Sequence, residues 1–106
     1  MNPFLIEHYA KFKDELDGYT YIHNDNINLV KPGGLIKFIN LNGELKGGGI
    51  VLNIYNKDKL TKMTFYMKIP GKTYNLSYSR NYIFFTTSAK SKMRKILTNI
   101  LKSPSL

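Results

Sequence analysis

The chain has 106 residues, 42% of them hydrophobic and 22% charged, with sixteen basic side chains against seven acidic for a net charge of +9. This is one globular domain, able to bury about two-thirds of its unfolded surface and too apolar to stay disordered. The absence of cysteine excludes disulfides and thiolate metal sites and agrees with a reducing compartment, and no run approaches the roughly 18 apolar residues of a membrane span.

The opening MNPFLIEHYAKFK has neither the basic start nor the long apolar core of a secretory signal, so the expectation is a soluble, intracellular protein. A helix is predicted over 3–17. Asn2 caps it, and Pro3 suits the first helical position, where no N–H is required. Leu5, Tyr9, Phe12 and Leu16 recur at helical spacing as one apolar stripe, and Gly18 ends it. So short a helix does not persist alone. Its stripe packs on its own domain or on a partner chain, which makes these four residues the candidate protein interface.

From Tyr19 the period changes. TYIH (20–23) reads as a short strand and NDNIN (24–28) as a loop. LIKFIN (35–40) follows the turn Pro32-Gly33-Gly34. Asn42-Gly43 between apolar runs is a strong hairpin signal, because both residues tolerate positive φ. The next strand runs through GGIVLNIY, its alternation putting Ile50, Leu52 and Ile54 on one face and Val51, Asn53 and Tyr55 on the other. After a turn at residues 56–59, KMTFYMKI (62–69) puts Met63, Phe65, Met67 and Ile69 inside and Lys62, Thr64, Tyr66 and Lys68 outside. Pro70-Gly71 turns into TYNLSYS (73–79), with Tyr74, Leu76 and Tyr78 on one face, and Arg80-Asn81 turns into YIFFTT (82–87). A final amphipathic helix is predicted over 88–102, capped by Ser88, with Met93, Ile96, Leu97, Ile100 and Leu101 as its stripe. A meander of short strands without intervening helices closes most simply as a small barrel. The fold expected is therefore mainly β: a five-stranded antiparallel SH3-like barrel over 19–87 with a helix at either end.

Gly47, Gly48 and Gly49 interrupt a strand that three glycines weaken by about 0.5–1 kcal/mol each. A phosphate-binding loop fits poorly. Gly71-Lys72-Thr73 would need a glycine where Tyr66 stands, and neither glycine run is followed by a helix. A bulge or corner that bends the strand is the reading that remains. Gly33, Asn42, Gly43, Gly47, Gly48, Gly49 and Gly71 are thus structural turn residues.

The charge is unevenly spread. Residues 1–30 carry two lysines and five acids, a balance of −3, and residues 31–106 carry +12. Such a field suits a polyanion, although lysine, asparagine, isoleucine and tyrosine all have AT-rich codons, so part of it reflects composition. Asp14, Glu15 and Asp17 cluster near the end of the first helix, and His8 and His23 have no further ligand at metal spacing. No nucleophile, acid and base arrangement stands out, and the expectation is a protein that is not an enzyme, with no cofactor, metal or small-molecule substrate. Binding chemistry is better supplied. Lys62, Tyr66, Lys68, Lys72 and Arg80 interleave cations with an aromatic, and Lys90, Lys92, Arg94 and Lys95 add a basic helix face. These nine are the candidate nucleic-acid contacts.

Residues 31–86 also carry a pattern of turns and strands: Pro32-Gly33, Ile36-Lys37-Phe38-Ile39, Asn42-Gly43, Gly48-Gly49, Lys72-Thr73-Tyr74-Asn75-Leu76 and Ile83-Phe84-Phe85. This pattern resembles small β-barrel proteins, SH3-like or Tudor-like, of the nucleocytoplasmic large DNA viruses. Tyr74 stands where tryptophan is expected. The resemblance implies a non-enzymatic structural protein of a giant virus, a minor capsid or internal virion component in the host cytoplasm or virus factory, acting through other virion proteins or self-association. The alternative is a module for DNA or RNA that uses the basic face and its tyrosines.

Overall fold

The computed structural model describes residues 2–88. Helix α1 (Pro3–Lys11) is followed by β1 (Thr20–Ile22), a pair of 3₁₀ turns over Asn24–Leu29, then β2 (Gly34–Asn40), β3 (Leu45–Tyr55), β4 (Thr64–Ile69), β5 (Lys72–Ser77) and β6 (Asn81–Ser88). All strands join one antiparallel sheet in the order β1-β6-β2-β3-β4-β5. The mainly-β expectation holds. The count of five does not, because Thr20–Ile22 pairs with Ile83–Phe85 and becomes a sixth strand. The sheet is open, with β1 and β5 as its edges.

The N-terminal helix starts as the sequence dictates. The Asn2 side chain accepts a hydrogen bond from the Phe4 N–H at 2.8 Å, and Pro3 opens the first turn. It ends six residues earlier than predicted, at Lys11, and the chain continues in turns to Gly18. Asp14, Glu15 and Asp17 give the reason: carboxylates at a helix C-terminus oppose its dipole. Leu16 is nonetheless fully buried, its N–H donating to the Phe12 carbonyl at 3.0 Å.

Both faces of the β2–β6 half are buried. Ile36, Phe38, Ile83 and Phe85 enter the main core with Ile22, Val51, Phe65, Met67 and Leu76. Ile39 and Phe84, one residue out of phase, point the other way and pack with Leu5 and Leu16. The helix stripe therefore docks on the chain's own sheet. Each fully buried side chain of this kind contributes about 1.5–3 kcal/mol.

Two irregularities shape β3. Ile36 pairs with Gly49 and Lys37 with Gly47, so Gly48 is an extra residue. Val51 pairs with Met67 and Asn53 with Tyr66, so Leu52 is another. The glycine run thus makes a bulge, as expected. The second bulge corrects the predicted alternation: Val51 is buried, Ile50 and Leu52 are exposed, and Ile54 returns toward the core. Across 63–69 the predicted alternation holds, with Met63 just ahead of β4 and Phe65 and Met67 within it buried, and Ile69 packed against them.

The Asn42-Gly43 hairpin forms with different geometry from that expected. Only Gly43 has positive φ (82°), and its N–H donates to the Asn40 carbonyl at 3.0 Å. This is a three-residue loop, a type I turn followed by a left-handed glycine. His8, stacked on Phe4, crosses this glycine so closely that a Cβ there would lie 2.3 Å from its Nε2. The predicted C-terminal helix over 88–102 lies outside the described residues except for Ser88, the last residue of β6.

Burial raises the Tyr78 and Tyr21 hydroxyls above their usual range, with neighbouring tyrosines adding to it, and Tyr78 donates to Asn24 Oδ1 at 3.0 Å. A raised folded-state pKa means stability that is complete below the unfolded value of about 10 and lost as pH rises through the folded one. The melting temperature should fall above about pH 10, in step with tyrosinate absorbance. Tyr78→Phe should flatten part of that fall, and an unchanged slope would remove Tyr78 from the linkage.

Candidate binding faces

Helix α1 covers the outer surface of only half the sheet. Among the described residues, no element covers the outer surface of β3, β4 and β5. Tyr66 sits there on β4, with its ring centroid 6.3 Å from that of Tyr55 on β3 at an interplanar angle of 50°. Lys62 and Lys68 flank it, both exposed, and neither has an acidic partner among the described residues. Lys62 precedes β4 at a fixed position. Its N–H donates to the Lys59 carbonyl at 2.9 Å, and its own carbonyl accepts from Asn56 Nδ2 and Thr64 Oγ1 at 3.2 Å each. Lys68 pairs across the ladder with Ile50 on one side and Thr73 on the other. Ile50 (42% exposed), Leu52 (43%) and Tyr55 (46%) complete a surface that is apolar in its middle and basic at its ends.

Tyr66 and Lys68 thus share the outer face of β4, and Lys62 lies exposed in the turn that leads into it. Lys72 is not with them. It pairs with Ile69, which faces the core side, so it belongs to the opposite surface. Arg80 lies exposed in the turn before β6. Lys90, Lys92, Arg94 and Lys95 lie outside the described residues. Simple alternation groups Ile50 and Leu52 with core-facing Ile54 and sets Tyr55 apart with Val51; the bulge at Leu52 breaks that grouping and leaves Ile50, Leu52 and Tyr55 exposed.

The predicted protein interface is dispersed by the fold. Leu5 and Leu16 are buried within the domain, and Phe12 packs against the same cluster. Tyr9 keeps part of its surface exposed while its ring stacks 5.8 Å from that of Phe84. No continuous stripe remains on this helix for a partner. Lys37 is engaged as well, donating to the Glu15 carbonyl at 2.7 Å and lying over the Tyr19 ring.

On the core side a cleft of about 350 Å³ opens between β2, β3 and the start of β5, with Phe38, Tyr74, Lys46 and Lys72 among its lining residues. Among the described residues no three His, Asp or Glu side chains gather as a metal site, and no helix is long and apolar enough to cross a membrane. No family model, curated protein or solved structure matches the chain.

Proposed function

We propose that the protein is a non-enzymatic module that binds single-stranded nucleic acid on the outer surface of β3, β4 and β5. The observation that carries this reading is the Tyr55–Tyr66 pair on a sheet surface, Tyr55 exposed and Tyr66 half-buried, with exposed Lys62 and Lys68 to either side. Aromatic rings on a sheet accept unstacked bases of any sequence, and flanking ammonium groups neutralise the phosphates between them. Repulsion is low, since no acidic residue follows Asp58 in the chain while ten basic ones do. The bulged, eleven-residue β3 supports reading the sheet as an opened relative of the SH3-like barrels, in which one bent strand serves both halves.

The same surface supports a second reading. Ile50 and Leu52 are aliphatic and exposed beside the tyrosines, a pattern that also suits a protein contact, as in the virion component suggested by the resemblance over residues 31–86.

Titrating labelled oligothymidine and oligouridine of about 15 nucleotides between about 50 and 300 mM salt separates the two. The first reading expects micromolar binding near physiological salt and a log–log slope equivalent to several phosphates. Tyr66→Ser should weaken binding by about 1–3 kcal/mol, and Lys62→Glu with Lys68→Glu should abolish it without changing the melting temperature. Binding that vanishes by about 150 mM salt, with self-association by light scattering that Leu52→Asp abolishes, would establish the second reading instead.

A further inference from the structure

The core-side cleft has a different chemistry from the outer surface, and its inference stands apart from the reading above. Its volume of about 350 Å³ is at the small end of ligand pockets, enough for one nucleotide-sized molecule and too small for a folded partner. One wall is aromatic. Tyr74 stacks on Phe38 with centroids 6.0 Å apart and planes 18° from parallel, yet 40% of Tyr74 remains exposed. Met67 and Ile69 supply apolar lining next to it.

The polar lining is cationic and amide, with no carboxylate. Lys72 has no acidic partner among the described residues. Lys46 has only Glu44 at 3.8 Å, with both side chains more than half exposed, a pairing too weak and solvated to hold it from a stronger anion. The two asparagines differ. Asn40 is committed to its hairpin, its Oδ1 accepting from the Asn42 and Glu44 N–H groups. Asn81 donates through Nδ2 to the Ser77 carbonyl at 2.8 Å, which fixes the carboxamide and leaves its Oδ1 as an acceptor without a protein donor among the described residues.

A flat ring to stack on Tyr74, an anion for Lys46 and Lys72, and a donor on the ring edge for Asn81 describe one chemical class. We propose that this cleft binds a nucleoside monophosphate unit, its base against Tyr74 and its phosphate between the two lysines. The unit is either a free nucleotide or the phosphorylated 5′ end of a strand.

The test is calorimetry on the full chain with adenosine monophosphate, adenosine, ribose 5-phosphate, and a tetranucleotide with and without a 5′-phosphate. Adenosine monophosphate should saturate with a Kd of about 1 mM or tighter, and loss of either base or phosphate should weaken it at least about tenfold. Lys72→Glu and Tyr74→Ala should each weaken it by a similar factor, while Tyr66→Ser on the outer surface should leave it unchanged. Both altered side chains are exposed, and an unchanged melting curve verifies the fold. A free nucleotide as ligand predicts that the monophosphate outcompetes both tetranucleotides. A strand end predicts that only the 5′-phosphorylated tetranucleotide binds more tightly than the monophosphate. No saturation by about 10 mM, equal binding of ribose 5-phosphate, or loss through Tyr66→Ser rather than Lys72→Glu would overturn the assignment. Failure of the outer-surface reading would leave the monophosphate result untouched.

Discussion

Replacing Leu16 by alanine should lower the unfolding free energy by about 2–5 kcal/mol, read as a fall in the urea midpoint at unchanged slope. Leu16 has no exposed surface and packs with Leu5, Ile39 and Phe84 between the N-terminal segment and the outer face of β2 and β6. Removing its methyl groups loses their transfer energy and leaves a cavity that the sheet, held by its ladder, does not collapse to fill. A domain of this size is stable by only about 5–15 kcal/mol, so the loss should be visible as a lower melting temperature. Tyr9, on the same stripe but part-exposed, should cost much less on truncation. The pair of variants separates two roles for the stripe. If it belonged to a partner chain, Leu16→Ala would leave the isolated domain's stability intact and weaken assembly instead.

The stripe itself was legible in the sequence, because helical spacing and the Asn2-Pro3 start are local signals. What it packs against was not, since that depends on Ile39 and Phe84 arriving from 23 and 68 residues further along the chain. Strand β4 was legible for the same local reason. It carries no irregularity between Thr64 and Ile69 in its pairing with β5, so period-2 alternation assigns each of its side chains to a face, Tyr66 and Lys68 to the outer one, with Lys62 in the turn just ahead. Strand β3 was not. One extra residue inverts all the faces beyond it, and GGGIVLNIY contains two extra residues, Gly48 and Leu52. The glycines announce the first; nothing in the residues announces the second. The sequence places Lys72 beside the Pro70-Gly71 turn without giving its face, which register decides. A two-residue turn at Pro70-Gly71 sets Lys72 opposite Ile69 and Thr73 opposite Lys68, and cross-strand partners share a face. The cleft around Tyr74 and Lys72 follows from that same pairing.

Gly47→Ala should cost about 2–4 kcal/mol and Gly48→Ala only about 1–2, although they are adjacent and both have positive φ. The backbone at Gly47 has φ 120° and at Gly48 φ 90°, so alanine is conformationally strained at either. The difference lies in what a side chain would meet. A Cβ on Gly47 would lie 2.8 Å from the Ile36 carbonyl oxygen and 2.8 Å from the Lys37 Cα, both backbone atoms of β2 that are held by pairing to β6 as well. A Cβ on Gly48, the bulged residue, would meet nothing within 4 Å. Gly49 is a third case. Its φ is ordinary, and its Cβ would press on the flexible end of Met67 at 2.4 Å and on Ile69 Cγ2 at 2.8 Å, so the loss there should be partly relieved by Met67 changing rotamer. Chemical unfolding of the three alanine variants therefore ranks the reasons for each glycine. Equal losses at Gly47 and Gly48 would mean that conformation alone sets the bend and that β2 gives way. The expected inequality makes the β2–β3 approach the element that fixes where β3 turns, and with it the orientation of Ile50, Leu52 and Tyr55 beside Tyr66.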